Sequence, residues 1–168
     1  MEKPVVRSIV CQKEQARLVV TTREDSSCVN LLKVLDRGHI ELDMLTALPV
    51  DGKGHFSVMF TISSKVAQQA SSLLLAHLPG VQNHDIQLAS HMAKVSIVGV
   101  GLRGHAQILQ ILFETLAAKK IQVLASTISE TRVSILIEEE YAELVVRLLH
   151  RAYHLEEETE NGRQLESA

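Results

Sequence analysis

The sequence predicts an α+β protein of two ferredoxin-like modules, each a four-stranded βαββαβ sheet with both helices on one face. Three observations carry that prediction. The order strand, helix, strand, strand, helix runs twice along the chain at an offset of about 80 residues, an internal duplication. Each helical segment has one apolar stripe, so each needs a sheet face to cover it. One strand is left over at the start (5–11), and one is missing at the end, where 156–168 is polar and charged. The N-terminal strand is therefore expected to complete the second module, with the first inserted into it. The expected boundaries are 16–90 for the first module, 5–11 plus 93–155 for the second, and a flexible polar tail over 156–168.

Each element has a local reason. Residues 5–11 (VVRSIVC) are β-branched and apolar and read as a strand. Lys13, Glu14 and Gln15 read as a polar turn, and 16–22 (ARLVVTT) as the next strand. Residues 23–27 form a loop whose serines can cap a helix. Cys28, Leu31, Leu32 and Leu35 supply that helix's i, i+3, i+4, i+7 stripe, ending near Gly38. Ile40, Leu42 and Met44 alternate with Glu41 and Asp43, as a half-buried strand does. Asp51-Gly52 marks a hairpin turn, and Phe56, Val58 and Phe60 the returning strand. Ser63 or Ser64 caps a helix with Val66, Ala70, Leu73, Leu74 and His77 on its stripe, stopped by Pro79-Gly80. Ile86 and Leu88 lie in a short extended segment. The second module reads as a strand over 94–100 (KVSIVGV) and a helix carrying Ile108, Leu109, Leu112, Phe113 and Leu116. Strands over 121–124 and 132–137 follow, then a helix over 141–154 on Leu144, Val145, Leu148 and Leu149.

Composition removes several functions. With 17 basic against 20 acidic residues, a net charge of −3 and no basic run, the chain lacks the footprint that nucleic acid requires. Three Phe, two Tyr and no Trp offer little for base stacking. No apolar run approaches the roughly 18 residues of a membrane span, and the start has no signal-peptide core, so a cytoplasmic protein is expected. Cys11 and Cys28 make neither a disulfide framework nor a zinc set. His150 and His154, one helical turn apart, suit the negative end of a helix dipole better than a metal. Glu138, Glu139 and Glu140 suit the first turn of the helix they precede. Ser126, Thr127 and Ser129 have no His/Asp pattern that would make one of them a nucleophile. Gly99, Gly101 and Gly104 form G-x-G-x-x-G between a strand and a helix, the pattern of a dinucleotide site. The acidic residue such a site needs after the second strand is absent, since 123–126 reads VLAS, and a hairpin follows instead of repeated crossovers. The glycines read as a tight turn. No catalytic constellation and no metal site emerge.

Some strings point further. KVSIVGVGL (94–102) with Arg103 and His105, then Phe113, SETRVS (129–134), YAEL (141–144) and Leu149-His150 resemble the C-terminal regulatory region of the aspartate kinases. In the first module IELDM (40–44) and Phe60-Thr61 resemble the family's strands more loosely, as Val5-Val6 resembles its lead-in strand. The resemblance covers 5–155. It implies a tandem pair of ACT modules that associate through their sheets and bind lysine or threonine where modules meet. The bound end-product then inhibits phosphorylation of the aspartate side-chain carboxylate by a kinase domain. Without a catalytic motif, the chain is expected to be a free-standing regulatory subunit or the regulatory half expressed alone. ATP and Mg are expected only on the kinase domain, and no cofactor in this chain. The expected partners are that kinase domain or subunit and a second copy in a homodimer. Val58, Val133 and Ile135 are expected to supply apolar positions near the open sheet faces.

The effector site the resemblance implies comprises Asp25, Ser26 and Ser27 of the first loop, facing Gln122, Thr127, Ser129 and Glu130 of the second module. Backbone N–H groups at the serines would meet a carboxylate, and Asp25 or Glu130 an ammonium group. The sequence departs from the family there: the first loop lacks its Pro and Gly, Ala47-Leu48 replaces a polar Q-N pair, and His55-Phe56-Ser57 replaces T-T-D. These changes predict weaker binding or a more apolar ligand. The alternative is a degenerate ACT pair that only holds an oligomer together.

Overall fold

The computed structural model describes residues 4–22, 27–50 and 54–155. The expected Asp51-Gly52 turn and the tail lie outside them. Ten main elements follow one another: β1 (Val5–Thr22), α1 (Ser27–Arg37), β2 (Leu45–Pro49), β3 (Phe56–Ser63), α2 (Ala67–His77), β4 (Ile86–Val100), α3 (Ala106–Ala117), β5 (Ala125–Ile128), β6 (Arg132–Glu138) and α4 (Ala142–Ala152). The chain divides into two compact units, Glu14–Met92 and the residues up to Lys13 together with those from Ala93 onward. Strand order is β2-β3-β1-β4 in the first unit and β1-β4-β6-β5 in the second. Both orders are ferredoxin-like, and β1 and β4 are long because each contributes to both. No helix among the described residues is long and apolar enough to cross a membrane.

In the first unit β3 pairs antiparallel with β1 (Leu18 opposite Phe60, Val20 opposite Val58) and with β2 (Leu45 opposite Phe60). Every second residue faces the helices: Ala16, Leu18 and Val20 from β1, and Val58, Phe60 and Ile62 from β3. Leu31 and Leu35 of α1, with Ala70 and Leu74 of α2, close over them. The small alanines at 67 and 70 bring α2 down onto the sheet. In the second unit Ala93, Val95 and Ile97 of β4 and Val133, Ile135 and Ile137 of β6 form the sheet side of the core. Ile108, Leu112 and Leu116 of α3 and Ala142, Val145 and Leu149 of α4 form the helix side. Tyr153 joins the two helices, its hydroxyl donating to the Ile108 carbonyl at 2.7 Å. Burial pushes that phenol well above the usual tyrosine range.

Several expectations need correcting. The polar stretch at Lys13-Glu14-Gln15 is not a turn; β1 runs through it without interruption. Its charges mark exposure: Lys13 Nζ pairs with Glu143 Oε1 at 2.9 Å and Glu14 Oε2 with Lys65 Nζ at 3.2 Å. Residues 86–88 and 94–100 are likewise one strand. The alternation at Ile40, Leu42 and Met44 reports burial but not a strand, which begins at Leu45. There the Thr61 hydroxyl accepts the Met44 N–H at 3.0 Å. Residues 121–124 precede β5, because Ile121 N–H bonds back to Leu116 and finishes α3. The last helix starts after a 3-10 turn, Glu139–Tyr141. His77 is exposed, and Phe113 is 43% exposed, so neither belongs to a buried stripe. Val58, Val133 and Ile135 are 0–1% exposed within the helix-covered cores, so they offer nothing to an open sheet face.

Candidate functional site

The junction between β4 and α3 is where the second unit concentrates its unusual backbone. Gly99 is buried, and a Cβ there would run into the Val5 carbonyl of the neighbouring β1. Gly101 (φ +63°) and Gly104 (φ +86°) are left-handed with open space around them, so conformation demands glycine there. The loop rests on the β5–β6 turn: Gly99 N–H donates to the Thr131 carbonyl and Leu102 N–H to the Glu130 carbonyl, each at 2.9 Å. Those two N–H groups are therefore satisfied internally and are unavailable to a pyrophosphate. The glycine pattern is a folding device.

The turn itself is tightly closed. Ser129 N–H donates to the Arg132 carbonyl at 2.7 Å, and the Ser129 hydroxyl donates to the same oxygen at 3.1 Å. Glu130 turns its carboxylate toward Arg103 of the glycine loop, Nε to Oε2 3.7 Å, with both side chains mostly exposed. Such a surface pair adds little stability. It does set a carboxylate and a guanidinium beside the first turn of α3, whose N-cap residue, His105, makes no side-chain cap. Thr127 lies on β5, opposite Ser134. Gln122 is exposed and lies three residues ahead of β5, on the side away from Ser129 and Glu130, so it is not grouped with them.

Of the first-loop residues, Ser27 is the first residue of α1, while Asp25 and Ser26 lie outside the described residues. At the strand end of this junction stands Thr22, which sequence reasoning missed. It is 2% exposed, and its hydroxyl has no hydrogen-bond partner among the described residues. A buried hydroxyl without a partner costs stability, so such groups are normally matched. Arg103 was also passed over as a site residue. Its position between two left-handed glycines was the available signal.

Other chemistry is sparse. Among the described residues no group of three His, Cys, Asp or Glu is placed to hold a metal. Both cysteines are free thiols, and burial raises the Cys11 thiol against the opposing pull of Lys13, which disfavours the reactive thiolate. The polar groups that remain suit recognition: acceptors for an ammonium group, and N–H and guanidinium donors for a carboxylate.

Comparison with known proteins bears on this directly. A family model described as an ACT domain matches residues 95–153. An aspartate kinase of Pseudomonas putida is 32% identical over 96% of this chain and 40% of its own length. An aspartokinase of Helicobacter pylori is 34% identical over 94% of this chain and 38% of its own. The chain therefore spans about two fifths of these curated relatives. A crystal structure of aspartokinase alpha and beta subunits matches with a TM-score of 0.78 at 30% identity, covering 89% of this chain and 99% of that one. The ligand-free regulatory subunit of aspartate kinase from Thermus thermophilus matches equally well, TM-score 0.78 at 28% identity, over 89% and 99% of the two chains.

Proposed function

The chain belongs to the aspartate kinase family, as its ACT regulatory portion, and from that premise we propose that it senses an amino acid and sets the activity of a kinase partner. One observation supports this most. The chain fills 99% of a structure described as a regulatory subunit but only 40% of a whole aspartate kinase. We assign aspartate phosphorylation, with its ATP and Mg, to a catalytic domain or subunit partnered with this chain in the cytoplasm. The chain itself supplies differential binding: an effector regulates only as far as its affinity differs between two conformations.

Asp25, Ser26 and Ser27 in the first unit, and Thr127, Ser129 and Glu130 in the second, remain proposed effector contacts, each set within its own unit; Gln122 remains a candidate but stands apart from them, and Thr22 is added because its buried hydroxyl has no partner among the described residues. Lysine and threonine are the effectors the family implies. Ala47 and Leu48 are exposed on β2, where the family carries polar residues, so the preferred effector is an α-amino acid with a more apolar side chain. A ligand at a hundred times its dissociation constant stabilises a fold by about 2.7 kcal/mol, which a thermal-shift screen of the twenty amino acids detects. We expect an apolar amino acid to raise the melting temperature, and lysine and threonine at about 1 mM to leave it unchanged. A shift of several degrees with lysine or threonine, abolished by Ser26→Leu or Gln122→Leu, would show the family's own site intact and this preference wrong.

The second reading is a pair that only holds an oligomer together. It is favoured by β2, the edge strand of the first unit, whose Leu45 and Leu48 are 42% and 59% exposed beside unpaired backbone. A homodimer formed along that edge is compatible with both readings. Silence of all twenty amino acids in the screen selects the oligomerising one.

A further inference from the structure

Helices α1 and α2 leave a cavity of about 220 Å³, lined by Val34, Arg37, Gly38, Leu73 and His77, all within the first unit. Its inner wall is apolar: Val34 is buried, and Leu73 is half-buried against the first core. Arg37 and His77, the basic residues in the last turns of α1 and α2, are exposed at its rim. Neither side chain forms a hydrogen bond or an ion pair among the described residues. A cation in a last turn offsets the helix dipole, which accounts for each charge but not for the two of them lining one cavity.

Gly38 shapes one wall. It directly follows α1, and its N–H donates to the Val34 carbonyl at 3.1 Å. The left-handed residue that closes this helix is the next one, His39 (φ +53°), so the backbone at 38 does not itself demand glycine. Space does: a Cβ there would run into Leu73 Cδ1. Any larger residue at 38 therefore has to displace a side chain that lines the cavity.

The lining is selective. A guanidinium offers a planar fork of donors that matches a carboxylate, and an imidazole keeps at least one N–H whatever its charge. Neither Asp nor Glu is among the described residues of the lining, so an ammonium group would find no charged partner there. The volume is below the roughly 300–1,000 Å³ of sites for drug-sized ligands, which restricts the occupant to a small molecule.

We infer that this cavity is a second ligand site, for a small monocarboxylate with an apolar body and no amino group, its carboxylate on Arg37 and His77 and its body against Val34 and Leu73. It lies at the last turn of α1, whereas Ser27 of the proposed effector contacts opens that helix. The test compares 4-methylpentanoate with its neutral amide and with leucine, the same acid carrying an ammonium group, by amide NMR shifts in the full chain. The carboxylate should give saturable shifts at Gly38, Leu73 and His77, with a dissociation constant on the order of 1 mM. The amide and leucine should bind there roughly tenfold more weakly, and Arg37→Gln, an exposed change, should weaken the carboxylate about fivefold. Gly38→Ala keeps both cations and should weaken it as well, while Thr22→Val should change nothing at these residues. Amino-acid shifts centred on Thr22 and Ser27 report the other site, so either site can fail without the other. Absence of saturable shifts at Gly38, Leu73 and His77 up to about 20 mM would overturn the inference. So would equal binding of the amide, or a constant unmoved by both Arg37→Gln and His77→Gln.

Discussion

The two strand-to-helix junctions, β1 into α1 and β4 into α3, occupy equivalent places in the two units and solve their polar bookkeeping differently. The second is closed. Its glycine loop gives two N–H groups to the β5–β6 turn, and nearby the buried hydroxyls of Ser96 and Ser134 hydrogen-bond each other at 2.8 Å. The first has no glycine in residues 23–26, and its strand ends on Thr22, a buried hydroxyl left without a partner among the described residues. The second junction is thus a structural joint, while the first keeps a buried hydroxyl with no partner among the described residues.

The largest effect should come from Gly99. A methyl group there meets the Val5 carbonyl, backbone that cannot yield cheaply, and the Leu102 side chain. Gly99→Ala should cost about 3 kcal/mol in denaturant titration, with hydrogen exchange rising in α3 and β6. Tolerance of alanine would break the picture of a closed junction. Gly101→Val should cost less, roughly 1–3 kcal/mol, because space is open there and only the positive φ opposes it.

Hydroxyls sharpen the contrast. Ser134→Ala strands the Ser96 hydroxyl in a buried site and should lose about 1 kcal/mol. Thr22→Val removes a hydroxyl that has no partner among the described residues, so without effector it should be neutral or slightly stabilising, by up to about 1 kcal/mol. Equal losses at the two sites would erase the difference between the junctions.

The smallest effect concerns pH. Tyr153 and Cys11, both in the second unit, are raised chiefly by burial. A raised pKa means that their contribution is complete below the unfolded values, 10.0 and 9.0, and is lost as pH climbs through the folded ones. Alkaline pH should therefore loosen α3 and α4 before α1 and α2 in hydrogen exchange. Tyr153→Phe should remove most of that pH sensitivity, together with the hydrogen bond to Ile108.

Much of this fold was legible because its cores follow simple periods. Val58 and Phe60 announce a strand, and Ile108, Leu112 and Leu116 a helix, by spacing alone. What misled was continuity. The three charged or polar residues Lys13, Glu14 and Gln15 look like a turn and make β1 look like two strands. Met44 was correctly marked as inward, but the Thr61 hydroxyl occupying its N–H is a tertiary fact with no local signal. The site divides the same way. Ser129 and Glu130 announce a turn, whereas the burial of the Thr22 hydroxyl, with no partner among the described residues, exists only once the chain is folded.

The claim that the first junction still binds an amino acid is tested most directly by amide NMR spectra recorded during titration with each of the twenty amino acids. The account predicts saturable shifts for at least one of them, centred on Thr22 and Ser27 and absent in Thr22→Val. Spectra unchanged by all twenty at around 10 mM, from a folded and self-associated protein, would contradict it and leave the chain a structural pair.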